Sequence, residues 1–224
     1  MNIVYAMTRN VYHMILPSLR SLAETNPAAK VFILTEDDEL PFELPIKAEV
    51  INVTDQKWFP EDSVNYNNLF TYINLLKVVY PSILKVEKVI HLDIDTIICD
   101  DLTPLWKTNI TGKWYAACPE YLGSYKPFGD PYYNMGVALI NLKQMRKDKA
   151  SEPMVEYLNA VRQPWADQDA WNKFTDKAVE IDVRYNENCK TGETDDPAIV
   201  HYCSIGDWYT DRNTHRVEYL DKYR

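Results

Sequence analysis

The sequence predicts an α/β protein, and three observations carry that expectation. Short, continuous apolar runs recur along the chain, as strands buried on both faces of a sheet require. Apolar residues at helical spacing separate the first run from the second. Strand, helix and strand in that order make a βαβ unit of the kind that builds nucleotide-binding domains.

The first strand is Ile3-Val4-Tyr5-Ala6, and residues 11–24 follow with Val11, Met14, Ile15, Leu19 and Leu22 at helical spacing despite Pro17. Residues 31–34 and 48–53 are the next two strands, joined by an exposed connection rich in Asp, Glu and Pro at 37–45. Residues 69–80 place Leu69, Ile73, Leu76 and Tyr80 on one helical face, with Pro81 as the stop. A buried strand at 88–92 ends at Asp93, and the strongest later strand is 135–142, with a helix starting at Lys143. Helices are expected at 151–162 and 167–174, and strands at 178–182 and 198–202. No G-x-G-x-x-G loop follows the first strand, which disfavours a dinucleotide fold. With no repeat or linker, residues 1–224 read as a single domain, with a nucleotide-binding half at about 1–107 and a sugar and acceptor half at about 108–224.

Composition narrows the partners. The formal net charge is −9, whereas general nucleic-acid binding draws its affinity from Lys and Arg on phosphates, which argues against that class. A nucleotide ligand stays open, because a bound cation reverses the local charge. Aromatic residues make up 12% of the chain, including 16 Tyr, whose flat faces and hydroxyls suit a polyhydroxylated ligand. Cys99, Cys118, Cys189 and Cys203 show no C-x-x-C spacing and read as free thiols of a reducing compartment. The sequence has neither a basic-then-apolar leader nor an apolar run of about 18 residues, so a soluble cytoplasmic protein without an integral membrane segment is expected; nothing fixes its oligomeric state.

The chemistry centres on Val89-Ile90-His91-Leu92-Asp93-Ile94-Asp95. In an extended strand Asp93 and Asp95 point the same way while Ile94 packs inward. Two carboxylates beyond a strand's carboxyl end suit a hard cation bridging phosphate oxygens. Asp93-Ile94-Asp95-Thr96-Ile97 also approximates the signature of haloacid-dehalogenase-like phosphatases, in which the first Asp is a nucleophile; that motif usually lies on a first strand, and here a βαβ unit precedes it. His201 ends another apolar strand, and an imidazole added to two carboxylates favours Mn²⁺ over Mg²⁺. Asn134 stands before a buried strand in which Gly136 allows close approach to the backbone. Asp167-Gln168-Asp169 opens a helix, where Asp167 is either an N-cap or a ligand group.

Taken in chain order, these blocks resemble glycosyltransferase family 8, whose retaining, galactosyl- and glucosyltransferase-like members include bacterial and phage proteins. His91-Leu92-Asp93-Ile94-Asp95 with Leu102-Thr103-Pro104-Leu105-Trp106 resembles the family's Y-L-D-x-D … L-x-x-L-W. Tyr133-Asn134-Met135-Gly136-Val137 resembles F-N-A-G-V, Asp167-Gln168-Asp169-Ala170-Trp171-Asn172 resembles D-Q-D-x-L-N, Arg184-Tyr185-Asn186 resembles R-F-N, and Val200-His201-Tyr202 resembles I-H-Y. The resemblance implies a GT-A fold with a mixed, mostly parallel central sheet flanked by helices. It implies a UDP-sugar donor, a glycan or protein acceptor, and Mn²⁺, with Mg²⁺ as the alternative, held by Asp93, Asp95 and His201. Ala6, Thr8 and Asn10 would line the uridine pocket, and Ile94 would lie at the donor with its two Asp neighbours. Asn134, Asp167 and Gln168 would contact the transferred sugar.

The chain departs from the family's pattern at two places. Asn74 stands where a phosphate-facing Arg is common, and Lys77, one helical turn on, is the expected substitute. Asp207 falls where the family carries a diphosphate-neutralising Lys, so either Arg212 or Arg216 supplies that charge or donor binding is impaired. A degenerate, non-catalytic nucleotide- or glycan-binding member is the remaining alternative.

Overall fold

The computed structural model describes residues 1–67, 71–121, 127–203, 207–212 and 214–224. Strand β1 (Asn2–Ala6) leads through a 3-10 turn (Arg9–Ile15) into helix α1 (Leu16–Thr25), then β2 (Lys30–Thr35) and β3 (Ala48–Asn52). Three short turns of helix follow: α2 (Thr71–Leu75), a 3-10 segment (Leu76–Val79) and α3 (Tyr80–Ile83). After them come β4 (Val89–Leu92), β5 (Thr96–Ile98), α4 (Thr103–Trp106), β6 (Tyr115–Pro119) and β7 (Tyr133–Ile140). The remaining elements are α5 (Leu142–Asp148), α6 (Ser151–Ala160), α7 (Asp167–Asn172), β8 (Ala178–Glu180), β9 (Ile199–His201) and α8 (Val217–Asp221).

The main sheet has the order β3-β2-β1-β4-β7-β6-β8. β1, β2, β3 and β4 run parallel, β7 is antiparallel to β4 and β6, and β8 pairs parallel with β6, which makes the sheet mixed and mostly parallel. Alternation along β1 divides the core. Ile3 and Tyr5 pack with Leu19 and Leu22 of α1, whereas Val4 and Ala6 pack with Leu75 and Val78 on the opposite face. Helices therefore cover both faces, and the near-continuous burial of β1, β2, β4 and β7 follows.

Pro81 does not end the expected helix over 69–80. It sits in the first turn of α3, where a missing N–H leaves no bond unmade, and the chain reaches it through the 3-10 segment. Leu69, in that same expectation, lies outside the described residues. Pro17 is accommodated in the same way at the start of α1.

Asp93 and Asp95 are not part of an extended strand. β4 ends at Leu92, a turn carries both carboxylates, and β5 then pairs antiparallel with β9 so that Thr96 faces His201. The turn's ends are fixed by the neighbouring strands: Asp93 N donates to Gly136 O at 2.7 Å and Tyr202 N to Asp95 O at 3.0 Å. The β5–β9 pair thus brings His201 to the two carboxylates from more than a hundred residues away in sequence. Among the described residues no helix is long and apolar enough to cross a membrane.

Candidate active site

A cavity of about 360 Å³ opens beyond the carboxyl ends of β1 and β4, where open α/β sheets place their ligands. Ala6, Thr8, Asn10, Lys77, Asp93, Ile94, Asp95, Asn134, Asp167, Gln168 and His201, every candidate named from sequence, line it. Ile94, expected to pack wholly inward, also contacts the apolar core beside α1.

Asp93, Asp95 and His201 each turn a ligand atom toward one point, and these atoms lie within 4.8 Å of one another. His201 Nε2 is 3.3 Å from Asp95 Oδ1 and 3.8 Å from Asp93 Oδ2. Its other nitrogen, Nδ1, is 2.9 Å from Asn186 Oδ1. An amide oxygen only accepts, so Nδ1 carries hydrogen and Nε2 is left to face the carboxylates. Asn186 is held in turn by donating Nδ2 to Asn134 Oδ1 at 2.9 Å. Burial disfavours a charge on His201, but Cys203 and Asp95 beside it raise its pKa well above the ordinary value. Two carboxylates and an outward-facing imidazole nitrogen fit a divalent cation, which would displace that proton.

Next to this trio lies a buried charge cluster. Lys77 Nζ is 3.1 Å from Asp93 Oδ1 and 3.4 Å from Asp167 Oδ2, and donates to Met135 O at 3.3 Å. Burial lowers the Lys77 pKa, but Asp167 and Asp93 together raise it above its usual value, so the ammonium stays charged. Burial pushes Asp167 up to about 7 against the pull of Lys77. The Asp93 carboxylate, disfavoured by burial, is nevertheless held well below the usual range by Lys77 and His91. Burial, and then Lys77, lower His91 to about 4, so it is neutral at pH 7. A neutral His91 donates Nε2–H to Asp93 Oδ1 at 2.8 Å and accepts Tyr80 OH at Nδ1, 3.1 Å away. Ala166, at φ +51°, turns the chain into α7 and so directs Asp167 at Lys77. Among the described residues, Asp167 Oδ2 has no hydrogen-bond partner apart from that ion pair.

A third group surrounds Glu120. Its Oε1 accepts from Asn134 Nδ2 at 2.7 Å and from Gln168 Nε2 at 3.2 Å, while Gln168 Oε1 accepts Met135 N at 3.0 Å. One carboxylate thereby orients both candidate sugar-binding amides.

Of the cations expected at the diphosphate, Lys77 lines the cavity, whereas Arg212 and Arg216 are not among its lining residues. Lys77 spends its ammonium on Asp93 and Asp167. Arg212 pairs with Asp221 of the tail at 2.8 Å, and Arg216 with the buried Glu187, 29 residues away in sequence, at 3.1 Å. Residues 204–206, which lead to Asp207, lie outside the described residues. Sequence reading passed over Trp165 and Lys190 on the cavity wall and the orienting role of Asn186. Asn186, the last residue of the block that resembles R-F-N, was the one signal available.

The Glycosyl transferase family 8 model matches residues 2–206. The chain belongs to this family. It is 30% identical over 140 residues to a putative glycosyltransferase of Haemophilus influenzae, which spans 57% of this chain and 42% of that protein. It is 24% identical over 220 residues to general stress protein A of Bacillus subtilis, 84% of this chain and 74% of that one. The chain thus spans under half the length of the first relative. Two solved structures share the fold. The galactosyltransferase LgtC, in complex with donor and acceptor sugar analogs, superposes with TM-score 0.73 at 24% identity over 100% of this chain and 95% of its own. The glycosyltransferase GlyE of Streptococcus pneumoniae gives 0.76 at 19% over 99% and 59%. The family 8 chain accordingly has the GT-A fold.

Proposed function

We propose that this family 8 chain transfers a hexose from a UDP-sugar, with retention, to a hydroxyl of a glycan or protein acceptor in a Mn²⁺-dependent reaction. Convergence of Asp93, Asp95 and His201 in one cavity with Asn134, Asp167 and Gln168 carries the proposal. Ala6, Thr8 and Asn10 form the nucleoside end, about residues 1–107 serving the nucleotide and 108–224 the sugar and acceptor. When bound, the cation supplies Lewis-acid stabilisation of the departing diphosphate. The protein groups do the rest. Asp167 Oδ2 has unused acceptor capacity for a sugar hydroxyl, and Glu120 keeps Asn134 and Gln168 turned toward the ring. In the step itself the bond from anomeric carbon to phosphate oxygen breaks with its electron pair leaving on UDP. The acceptor oxygen then attacks the same face, and its proton passes to a diphosphate oxygen. Four free cysteines accord with action in the cytoplasm.

The deciding measurement is thermal shift with UDP and Mn²⁺, singly and together. Ligand at about 100 times its Kd adds about 2.7 kcal/mol, which for a domain of this size is roughly 5–11 °C. The full shift should need both ligands and vanish in Asp95→Ala. A phosphatase with Asp93 as nucleophile would instead give no shift with UDP and turn over phosphate esters.

Cation affinity should also depend on pH. The His201 pKa is raised, so protons compete for Nε2 as pH falls. Mn²⁺ affinity measured by titration should weaken steadily toward acid; a flat profile would remove His201 from the ligand set.

A further inference from the structure

We infer that the acceptor carries an anionic group, a carboxylate or a phosphate, near its reacting hydroxyl, and that Lys190 binds it; this rests on the transfer proposed above. Among the described residues, Lys77 and Lys190 are the cavity's Lys and Arg side chains. Lys77 is neutralised by Asp93 and Asp167. Lys190 pairs with no described carboxylate, and its ammonium instead lies 4.1 Å from the ring centroid of Trp165, which also lines the cavity. Contact with an aromatic face holds a cation in place and leaves its charge available to a ligand.

Its position is built into the backbone. Lys190 N donates to Asn188 Oδ1 at 2.8 Å, and Lys190 O accepts Tyr121 N at 3.0 Å. Asn188 Oδ1 also accepts Thr191 N at 3.0 Å, while its Nδ2 donates to Asn186 O at 2.9 Å. The loop is thus tied to the residue that orients His201 on one side and to the residue after Glu120 on the other. The Trp165 backbone is tied down as well, its main-chain N–H donating to Asp169 Oδ2 at 3.0 Å.

These attachments tie Lys190 to Trp165 and to the segment of Glu120, whose carboxylate holds Gln168, whereas Ala6, Thr8 and Asn10 belong to β1 and the turn that follows it. With the uridine at Ala6, Thr8 and Asn10 and the transferred sugar at Gln168, the Trp165 and Lys190 side of the cavity is the part left for the acceptor. With the Lys77 charge spent on Asp93 and Asp167, Lys190 is the described cation of the cavity left to meet an anionic acceptor.

The test measures binding by ligand-observed NMR titration in the presence of Mn²⁺ and UDP. The probes are galactose, galacturonate, galactose 6-phosphate and inorganic phosphate, added to wild type, Lys190→Gln and Lys190→Arg. Galacturonate or galactose 6-phosphate should bind wild type about 10-fold more tightly than galactose, the scale of one charge-assisted hydrogen bond. Lys190→Gln should erase that difference, Lys190→Arg should keep it, and both should melt with wild type. Equal or undetectable binding of charged and neutral sugars, or a preference that survives in Lys190→Gln, overturns the inference. Inorganic phosphate binding as tightly as galactose 6-phosphate also overturns it, since the site would then read a free ion. Failure of UDP to bind with Mn²⁺ refutes the transfer reading itself; UDP binding without an anion preference refutes only the role of Lys190.

Discussion

Alanine at position 136 should reduce cation affinity by about 100-fold or more, the upper range seen when groups that orient metal ligands are lost. A Cβ built there would lie 2.0 Å from His201 Cε1 and under 3.0 Å from both ring nitrogens. Gly136 does not owe its place to a backbone conformation that other residues avoid, so the clash is purely one of space. Both ways of relieving it damage the site. If the imidazole moves, it leaves Asn186 and the two carboxylates. If β7 moves instead, it takes along Gly136 O, which accepts the Asp93 N–H at 2.7 Å, and Gly136 N, which donates to Asn134 Oδ1 at 3.0 Å. Overpacking of this kind costs about 1–3 kcal/mol, so the variant should still fold. Titration with Mn²⁺ checks the prediction: an affinity within about 3-fold of wild type would mean that His201 is no ligand.

The parts of the site that sequence revealed are those where a single strand or helix end exposes a polar residue. Apolar runs at 88–92 and 135–142 announce β4 and β7, and Asp93 and Asn134 stand at their cavity ends. Less visible was whatever depends on pairing between distant segments. β5 and β9 are three residues each, too short for a period-2 pattern, yet their register decides where His201 sits. β6 was missed because Tyr115-Ala116-Ala117-Cys118-Pro119 has little intrinsic strand preference and is strand only through burial. Charge was the hardest to assign. Nothing in sequence spacing tells that Arg216 answers Glu187 or that Lys77 answers Asp167, and those pairings leave Lys190 as the cavity's available cation.

Lys77→Met should destabilise the protein by about 3–5 kcal/mol, the usual result of removing one partner from a buried ion cluster. Lys77 is almost fully buried, as is Asp167, and no other cation replaces it at the Asp167 carboxylate among the described residues. Asp93 would keep His91, and it is partly open to solvent, so most of the loss falls on Asp167. Its pKa, already about 7, would rise further. An acid whose folded pKa lies above its unfolded one keeps a proton that the unfolded chain has released, so stability falls as pH rises through that interval. The deficit of Lys77→Met relative to wild type should therefore be smaller at about pH 6, where Asp167 escapes as the neutral acid, than at about pH 8. Adding Asp167→Asn removes the titrating charge, and the double variant should recover part of the loss and flatten its pH dependence. Urea unfolding of the four proteins at both pH values measures this directly. A Lys77→Met deficit below about 1 kcal/mol, or one that does not change with pH, would mean that Lys77 is not what keeps the Asp167 carboxylate inside the protein.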